Sequence, residues 1–210
     1  MAGLLWQVHL LLLRLGVVLL RCSDRRLLAE GFVSGGLNFK AFDQRVPPTV
    51  FNGYWIICRI LRRRVFCEEL QGVPEMEFDE NDGTCRHIII QVGDAPVGCL
   101  RWRIEPPQAA GAPAVALIDR LCILAAYRGR GFARKAMEHA LEDVSAVAVE
   151  AQVGVGAVVV LAPSGTMLQA KLADRGFVPQ AEAVLKGIPA VRMCLVAAPQ
   201  QPQAHTAALP

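Results

Sequence analysis

The most informative stretch of this sequence is Leu121-Cys122-Ile123-Leu124-Ala125-Ala126-Tyr127-Arg128-Gly129-Arg130-Gly131-Phe132-Ala133. Its apolar beginning predicts a β-strand, its glycines and arginines predict a short loop, and the apolar spacing of the residues that follow predicts a helix. The backbone N–H groups in the first turn of a helix have no helical acceptors, and glycines leave room for a phosphate to reach them. The stretch therefore predicts a pyrophosphate cradle with arginines beside it. The alternative is an exposed turn whose arginines only contact water.

Two other phosphate-binding loops do not fit this stretch. A Walker-type loop needs the pattern GxxxxGK[ST], which the sequence lacks. A dinucleotide-binding loop needs GxGxxG after a first strand, and Gly129-x-Gly131 has no third glycine at that spacing. The cradle is therefore of a different kind.

The sequence on either side predicts an α/β domain. Alternating or continuous apolar runs predict strands at residues 86–92, 95–104, 115–124, 158–162 and 190–196, with a Gly93-Asp94 turn joining the first two as a hairpin. Helical spacing predicts helices at residues 56–70, 131–144 and 166–174. An antiparallel hairpin followed by strand, helix and strand indicates a mixed sheet with helices on its faces.

The ordered set of motifs resembles the GNAT superfamily of acetyltransferases, and within it a bacterial-type subgroup of small proteins. Arg128-x-x-Gly131-x-Ala133, placed after Leu-Cys-Ile, looks like the acetyl-CoA loop of that superfamily. Other segments agree in the right order, and they are Arg63-Arg64-Val65-Phe66-Cys67-Glu68-Glu69, Gln71-Gly72-Val73-Pro74, Glu77-Phe78-Asp79-Glu80, His87, Pro96-Val97-Gly98, Gly176-Phe177 and Gly187-Ile188-Pro189-Ala190-Val191-Arg192-Met193. The resemblance implies an α/β (α+β) fold with a mixed, mostly antiparallel, splayed sheet and helices on both faces. It also implies acetyl-CoA as co-substrate and no metal.

The resemblance further implies which residues bind acetyl-CoA. The strand at 115–124 would part from its neighbour, and the pantetheine arm would lie in the gap against the backbone of Leu121, Cys122 and Ile123. One of these amides would polarise the thioester carbonyl, on which negative charge grows in the transition state. The phosphates would be bound by the loop residues Arg128, Gly129, Arg130, Gly131, Phe132, Ala133 and Arg134.

A general base is expected because an amine attacks a thioester only in its neutral form. A lysine-like amine has a pKa of about 10.4, so a base or a desolvating pocket must help. The candidates are Glu68, Glu69, Asp119 and His87. The alternative for the two glutamates is a solvated helix face, for Asp119 an ion pair with an arginine, and for His87 a hydrogen bond at a strand end.

Two positions depart from the pattern of the resembled family. Leu172 stands where many members have a tyrosine that protonates the departing thiolate, and Ala190 stands where the subgroup usually has histidine. Leucine cannot donate a proton. Two functions therefore stay open: an N-acetyltransferase acting by direct attack of an amine on a small molecule or protein, or a catalytically weak or inactive acyl-CoA-binding protein serving as sensor or scaffold.

The ends of the chain differ from the domain between them, which we expect to span residues 54–196. Residues 1–26 are rich in leucine, carry a stripe of arginines and have no acid before Asp24. This is typical of an organellar transit peptide for a mitochondrion or plastid. A membrane-associated segment and a dispensable extension are the alternatives, and Arg14 inside the apolar run argues against a stable membrane span. Without import the protein would be cytoplasmic.

Residues 27–53 are interpreted as a linker or irregular extension, and the uncharged residues 197–210 as a disordered tail.

Composition excludes several classes of protein. Apolar residues make up 53% of the chain, which excludes a mainly disordered one, and a net charge of +3 gives no case for a nucleic acid as the main partner. The seven cysteines contain no CxxC pair, and with four histidines they do not show the paired spacing of a zinc site. Buried free thiols are expected, including Cys99 and Cys122, which have no adjacent His–Asp pair to activate them.

Overall fold

A seven-stranded sheet forms the centre of the protein. The structure, a computed structural model, describes residues 36–72, 78–107, 109, 111–185 and 188–196. Within them the strand order is β1-β2-β3-β4-β5-β7-β6, in which β4 and β5 pair in parallel and the other neighbours are antiparallel. The strands are β1 (Leu37–Phe42), β2 (Arg86–Val92), β3 (Ala95–Glu105), β4 (Ala114–Ile123), β5 (Val155–Pro163), β6 (Val178–Leu185) and β7 (Ile188–Val196).

Three α-helices of the described residues pack on this sheet. They are α1 (Pro48–Arg62), α2 (Phe132–Glu150) and α3 (Met167–Ala173). A π-helix (Arg63–Glu69) continues α1 directly, and short 3₁₀ turns occupy Glu80–Gly83 and Ala125–Tyr127. Among the described residues, no helix has the length and apolarity that crossing a membrane requires.

Alternation along β2 divides the apolar core between the two faces of the sheet. Ile88 and Ile90 are fully buried in the larger core, which α2 and α3 cover. Ile89, which lies between them, points to the opposite face and packs in a second core with Leu61 of α1. The helices therefore lie on both faces, and the predicted fold class is confirmed.

The interpretation of residues 27–53 as a linker is wrong for the part that the structure describes. β1 pairs with β2 from Leu37↔Val92 to Phe42↔His87, and Phe42 is only 1% exposed. Helix α1 begins at Pro48, because a proline in the first turn has a suitable φ and needs no N–H acceptor. The glycines and prolines of this region flank a strand and start a helix, so the domain includes residues 36–53.

One further element differs from its prediction, and another was not predicted. The predicted helix at 56–70 is longer at its start and changes to a π-helix after Arg62. Strand β6 was not predicted. The expected targeting segment at 1–26 and the tail at 197–210 lie outside the described residues.

Candidate active site

A gap opens in the sheet between β4 and β5. The two strands pair only from Ala114 to Ile118 on β4, whereas β4 continues beside β3 as far as Ile123. β5 runs on to Pro163 and is paired there with β7. In the described sheet, the β5-facing backbone of β4 beyond Ile118 therefore has no strand partner. This is the parting of strands that the family resemblance implies.

A bulge bends β4 where the gap begins. The β3–β4 register shifts between Cys99 and Arg101, and Arg120 has a φ of +55°. A left-handed conformation is uncommon for a residue with a long side chain. The Arg120 side chain is buried and pairs with Asp79 at 3.2 Å and with Asp119 at 3.5 Å. These ion pairs hold the strained residue in place.

The end of β4 turns backbone polar groups toward the gap. The N–H of Leu124 donates to the carbonyl of Val97 at 2.9 Å, on the β3 side. A trans peptide points its C=O opposite to its N–H, so the carbonyl of Ile123 points away from β3. This carbonyl accepts from the Nε of Arg128 at 2.8 Å. An extended ligand in the gap can pair with the other β5-facing backbone groups of β4 beyond Ile118, as a strand would.

The loop after β4 leads to a helix N-terminus with accessible backbone. Gly129 and Gly131 have φ values of +76° and +77°, which favour glycine, and no atom lies within 4 Å of the Cβ position at either residue. The first helical hydrogen bond of α2 runs from the N–H of Lys135 to the carbonyl of Gly131. The preceding N–H groups of α2 have no helical acceptors, and the positive end of the helix dipole lies there. The residues thus fit an anionic group such as a pyrophosphate.

A cavity of about 250 Å³ lies between the π-helix and the residues that follow β4. Its lining consists of Arg64, Val65, Glu68, Glu69, Leu124, Ala125, Ala126 and Tyr127. Glu69 accepts hydrogen bonds from both terminal nitrogens of Arg128, one of them at 2.8 Å. The neighbouring Glu68 is more exposed and lies 3.7 Å from Arg63. The structure thus brings two of the predicted carboxylates to the end of the predicted cofactor strand.

Asp119 and His87 do not line this cavity. Asp119 is buried and accepts from the Nε of Arg101 at 2.6 Å. His87 is buried against Phe42 and lies 2.8 Å from the carbonyl of Asp82, and burial lowers the pKa of its imidazole. The structure therefore argues against both residues as the base and supports their structural alternatives.

The two central thiols are packed in the core under α1. Cys99 and Cys122 face each other across β3 and β4 with their sulfur atoms 3.5 Å apart. The hydrogen bond to Cys99 and burial together raise the pKa of the Cys122 thiol well above its ordinary value. A protonated, buried thiol is a poor nucleophile. The described cysteines are all free, and no cluster suited to a metal ion occurs among the described residues.

Residues 54–157 match the model of the acetyltransferase (GNAT) family. This chain carries a GNAT acetyltransferase domain. YjcF, an uncharacterized N-acetyltransferase of Bacillus subtilis, is 34% identical over 87 residues, which are 40% of this chain and 56% of YjcF. A second Bacillus subtilis relative is 39% identical over 88 residues and 54% of its length. The chain thus spans about half the length of the curated relatives it matches.

Solved structures agree with the GNAT fold. An acyl-CoA N-acyltransferase from Pseudomonas aeruginosa matches with a TM-score of 0.57 and 23% identity, covering 76% of this chain and 99% of that one. Escherichia coli ElaA matches with a TM-score of 0.56 and 22% identity over the same shares of the two chains. At this level of identity the likeness concerns the fold.

The two departures from the GNAT pattern are both buried. Leu172 of α3 is 2% exposed and belongs to the larger core, and Ala190 of β7 is 1% exposed. Neither residue carries a group that can transfer a proton. The GNAT domain therefore has no acid or base at these two positions.

Sequence reasoning missed a buried charge network beneath the site. Arg101 is central to it, since its guanidinium contacts Asp79, Asp82 and Asp119. Burial works to lower the pKa of Arg101, but the bonds to these carboxylates outweigh it and raise that pKa above the ordinary value. Two signals were available: Asp119, for which an ion pair with an arginine was the alternative, and the arginine between Leu100 and Trp102 in an otherwise apolar strand, because a buried charge needs a partner. The network comprises Arg62, Arg101, Arg120, Asp79, Asp82 and Asp119.

Proposed function

We propose that this GNAT domain is an N-acetyltransferase that moves an acetyl group from acetyl-CoA to an amine. One arrangement supports this above all: the gap in the sheet, the glycine loop and the cavity with two carboxylates follow one another along the end of β4. The acceptor is an amine of a small molecule or of a protein.

Acetyl-CoA would bind across the gap and the loop. The pantetheine arm would pair with the backbone of Leu121, Cys122 and Ile123, and the phosphates would meet the first N–H groups of α2. Arg130, whose guanidinium lies over the Tyr127 ring at 5.5 Å, and Arg134 in the first turn of α2 add positive charge beside them. These residues complement the charge of the phosphates.

The reaction would be a direct transfer. The neutral amine attacks the thioester carbonyl carbon, a C–N bond forms, the C–S bond breaks and CoA leaves as its thiolate. Backbone N–H groups at the end of β4 stabilise the charge that develops on the carbonyl oxygen. The proton lost by the amine passes to a carboxylate of the cavity, Glu68 or Glu69. Their negative charge also attracts a cationic amine to the site.

A second candidate function is acyl-CoA binding with little or no catalysis, as a sensor or scaffold. Leu172, which is buried, favours this second candidate. Many family members have a tyrosine at that position that protonates the departing thiolate, and leucine cannot do so. General acid catalysis is typically worth about 10²–10⁴-fold, so its loss would slow turnover strongly.

Calorimetry with acetyl-CoA tests the shared part of both candidates. Gly131→Glu should abolish binding, because it places a bulky negative side chain in the cradle. Gly111→Glu is the matched control: Gly111 also has positive φ and open surroundings, but it lies just before the start of β4, at the opposite end of that strand from the glycine loop. Equal affinities in both variants and the wild type would place the phosphate site elsewhere.

An amine panel separates the two candidates. CoA release is followed as free thiol, with substrate in large excess over the protein because Cys67 is partly exposed. Turnover with any amine supports the transferase. Tight acetyl-CoA binding without turnover across small amines, polyamines and peptides supports the second candidate.

A further inference from the structure

The side chain of Arg128 makes three hydrogen bonds beside the cavity. Its Nε donates to the carbonyl of Ile123 at 2.8 Å. Its two terminal nitrogens donate to the two carboxylate oxygens of Glu69, so three of its donors are used within the site. The bonds to Glu69 raise the pKa of the guanidinium.

These contacts connect three elements around the mouth of the gap. The Ile123 carbonyl ends β4 and points away from β3, Arg128 belongs to the glycine loop, and Glu69 is the last residue of the π-helix. A π-helix is rare and occurs frequently at functional sites. Here it carries both glutamates of the cavity, so whatever fixes its end also fixes the backbone from which their side chains project.

The geometry distinguishes Glu69 from Glu68. Arg128 and Glu69 form a bidentate pair, which fixes direction as well as distance. Glu68 lies 3.7 Å from Arg63, and both side chains are more than half exposed. One carboxylate is thus held against the end of β4, whereas the other is free to reorient toward a ligand in the cavity.

We propose that Arg128 is a positioning residue of the acceptor side, which fixes the π-helix against the end of β4 through Glu69 and does not hold the phosphates of acetyl-CoA. The positive charge beside the phosphates then comes from Arg130 and Arg134. Glu68 is left as the carboxylate that accepts the proton of the amine. The kinetic part of this inference rests on the proposed function, whereas the structural part does not.

Amide hydrogen exchange tests the structural part without any acetyl-CoA. Arg128→Gln is compared with Arg130→Gln, which removes the same charge from the same loop. A partly exposed pair is worth up to about 1 kcal/mol, so the amides of residues 63–72 should exchange about fivefold faster in Arg128→Gln. They should be unchanged in Arg130→Gln. No change in Arg128→Gln, or an equal rise in both variants, would overturn the inference.

Calorimetry with acetyl-CoA and steady-state kinetics test the kinetic part of the inference. Acetyl-CoA affinity should stay within about twofold in Arg128→Gln, while kcat/KM for the amine falls about tenfold or more. Glu69→Gln should cause the same loss, and the double variant should lose no more, because the two residues act as one unit. A weaker acetyl-CoA affinity in Arg128→Gln with normal amine kinetics would make Arg128 a phosphate ligand and refute the proposal. A wild-type protein that binds no acetyl-CoA would refute the proposed function and leave the exchange result standing.

Discussion

Replacing Gly98 by alanine is expected to disturb the cavity from the neighbouring strand. Gly98 on β3 lies opposite Ile123 on β4. A Cβ added there would stand 2.7 Å from Ile123 Cδ1 and still closer to the carbonyl oxygen of Cys122. Carbon atoms pack best at about 3.5–4.0 Å, so the shortfall is about 0.8 Å. The Ile123 side chain can rotate, but the Cys122 carbonyl is backbone, so β4 itself must move.

The size of the effect follows from that displacement. Overpacking of this kind costs about 1–3 kcal/mol of unfolding free energy. For a domain of this size, 1 kcal/mol lowers Tm by about 2–4 °C. A shift of about 1 Å in the groups that orient a reacting ligand can cost about 10²-fold in rate. We therefore expect Gly98→Ala to lower both Tm and acetyl-CoA-dependent turnover.

Gly154→Ala is the matched control for this experiment. Gly154 precedes β5, its φ is not left-handed and no atom lies within 4 Å of its Cβ position. Differential scanning calorimetry gives Tm, and release of CoA as free thiol gives acetyl-CoA-dependent turnover. The reasoning would be refuted if Gly98→Ala matched Gly154→Ala in both measurements.

Three further perturbations follow from the fold. A chain that begins at Gly36 should unfold cooperatively on heating, whereas one that begins at Val46 lacks β1 and should show no cooperative thermal unfolding by circular dichroism. Equal Tm values would show that β1 is dispensable. Leu172→Tyr should lower stability by about 1–3 kcal/mol in denaturant titration, because Leu172 is 2% exposed and the core has to accept a larger ring; an unchanged midpoint would show that the site has room for a restored acid. Burial lowers the pKa of His87 below its ordinary value of about 6.5, so as pH falls below that value the unfolded chain takes up a proton that the folded chain resists. Stability should therefore decline from pH 7.5 to 5.5 in the wild type, and His87→Gln should show a flatter dependence; identical slopes would contradict this.

The parts of the fold that the sequence predicted well are those with local signals. The hairpin of β2 and β3 combines apolar strands with a Gly93-Asp94 turn, and β4, the glycine loop and α2 are continuous in the chain. The same continuity placed Leu121 to Ile123 next to the loop. Glu68 and Glu69 were assigned to the acceptor side through the family resemblance, and they do line the cavity.

The parts that were missed depend on distant partners. β1 is six residues long, contains Lys40 and is flanked by glycine and proline, so its strand character appears only when it pairs with β2. β6 contains Pro179 and polar residues, as befits an edge strand. The pair of Glu69 and Arg128 joins residues 59 positions apart. No local pattern predicts that Arg128, which was expected to bind phosphate, forms an ion pair with Glu69, which was expected to act as a base.

The position of β7 has a consequence for synthesis on the ribosome. β7 is the last described strand in the chain, yet it lies between β5 and β6 in the sheet. Until it has been made, one side of β5, with buried Val158, Val159 and Val160, has no neighbouring strand. An unpaired apolar strand edge invites pairing with other chains. The nascent protein therefore carries an aggregation-prone edge until β7 has emerged, and chaperone demand should be greatest at that stage.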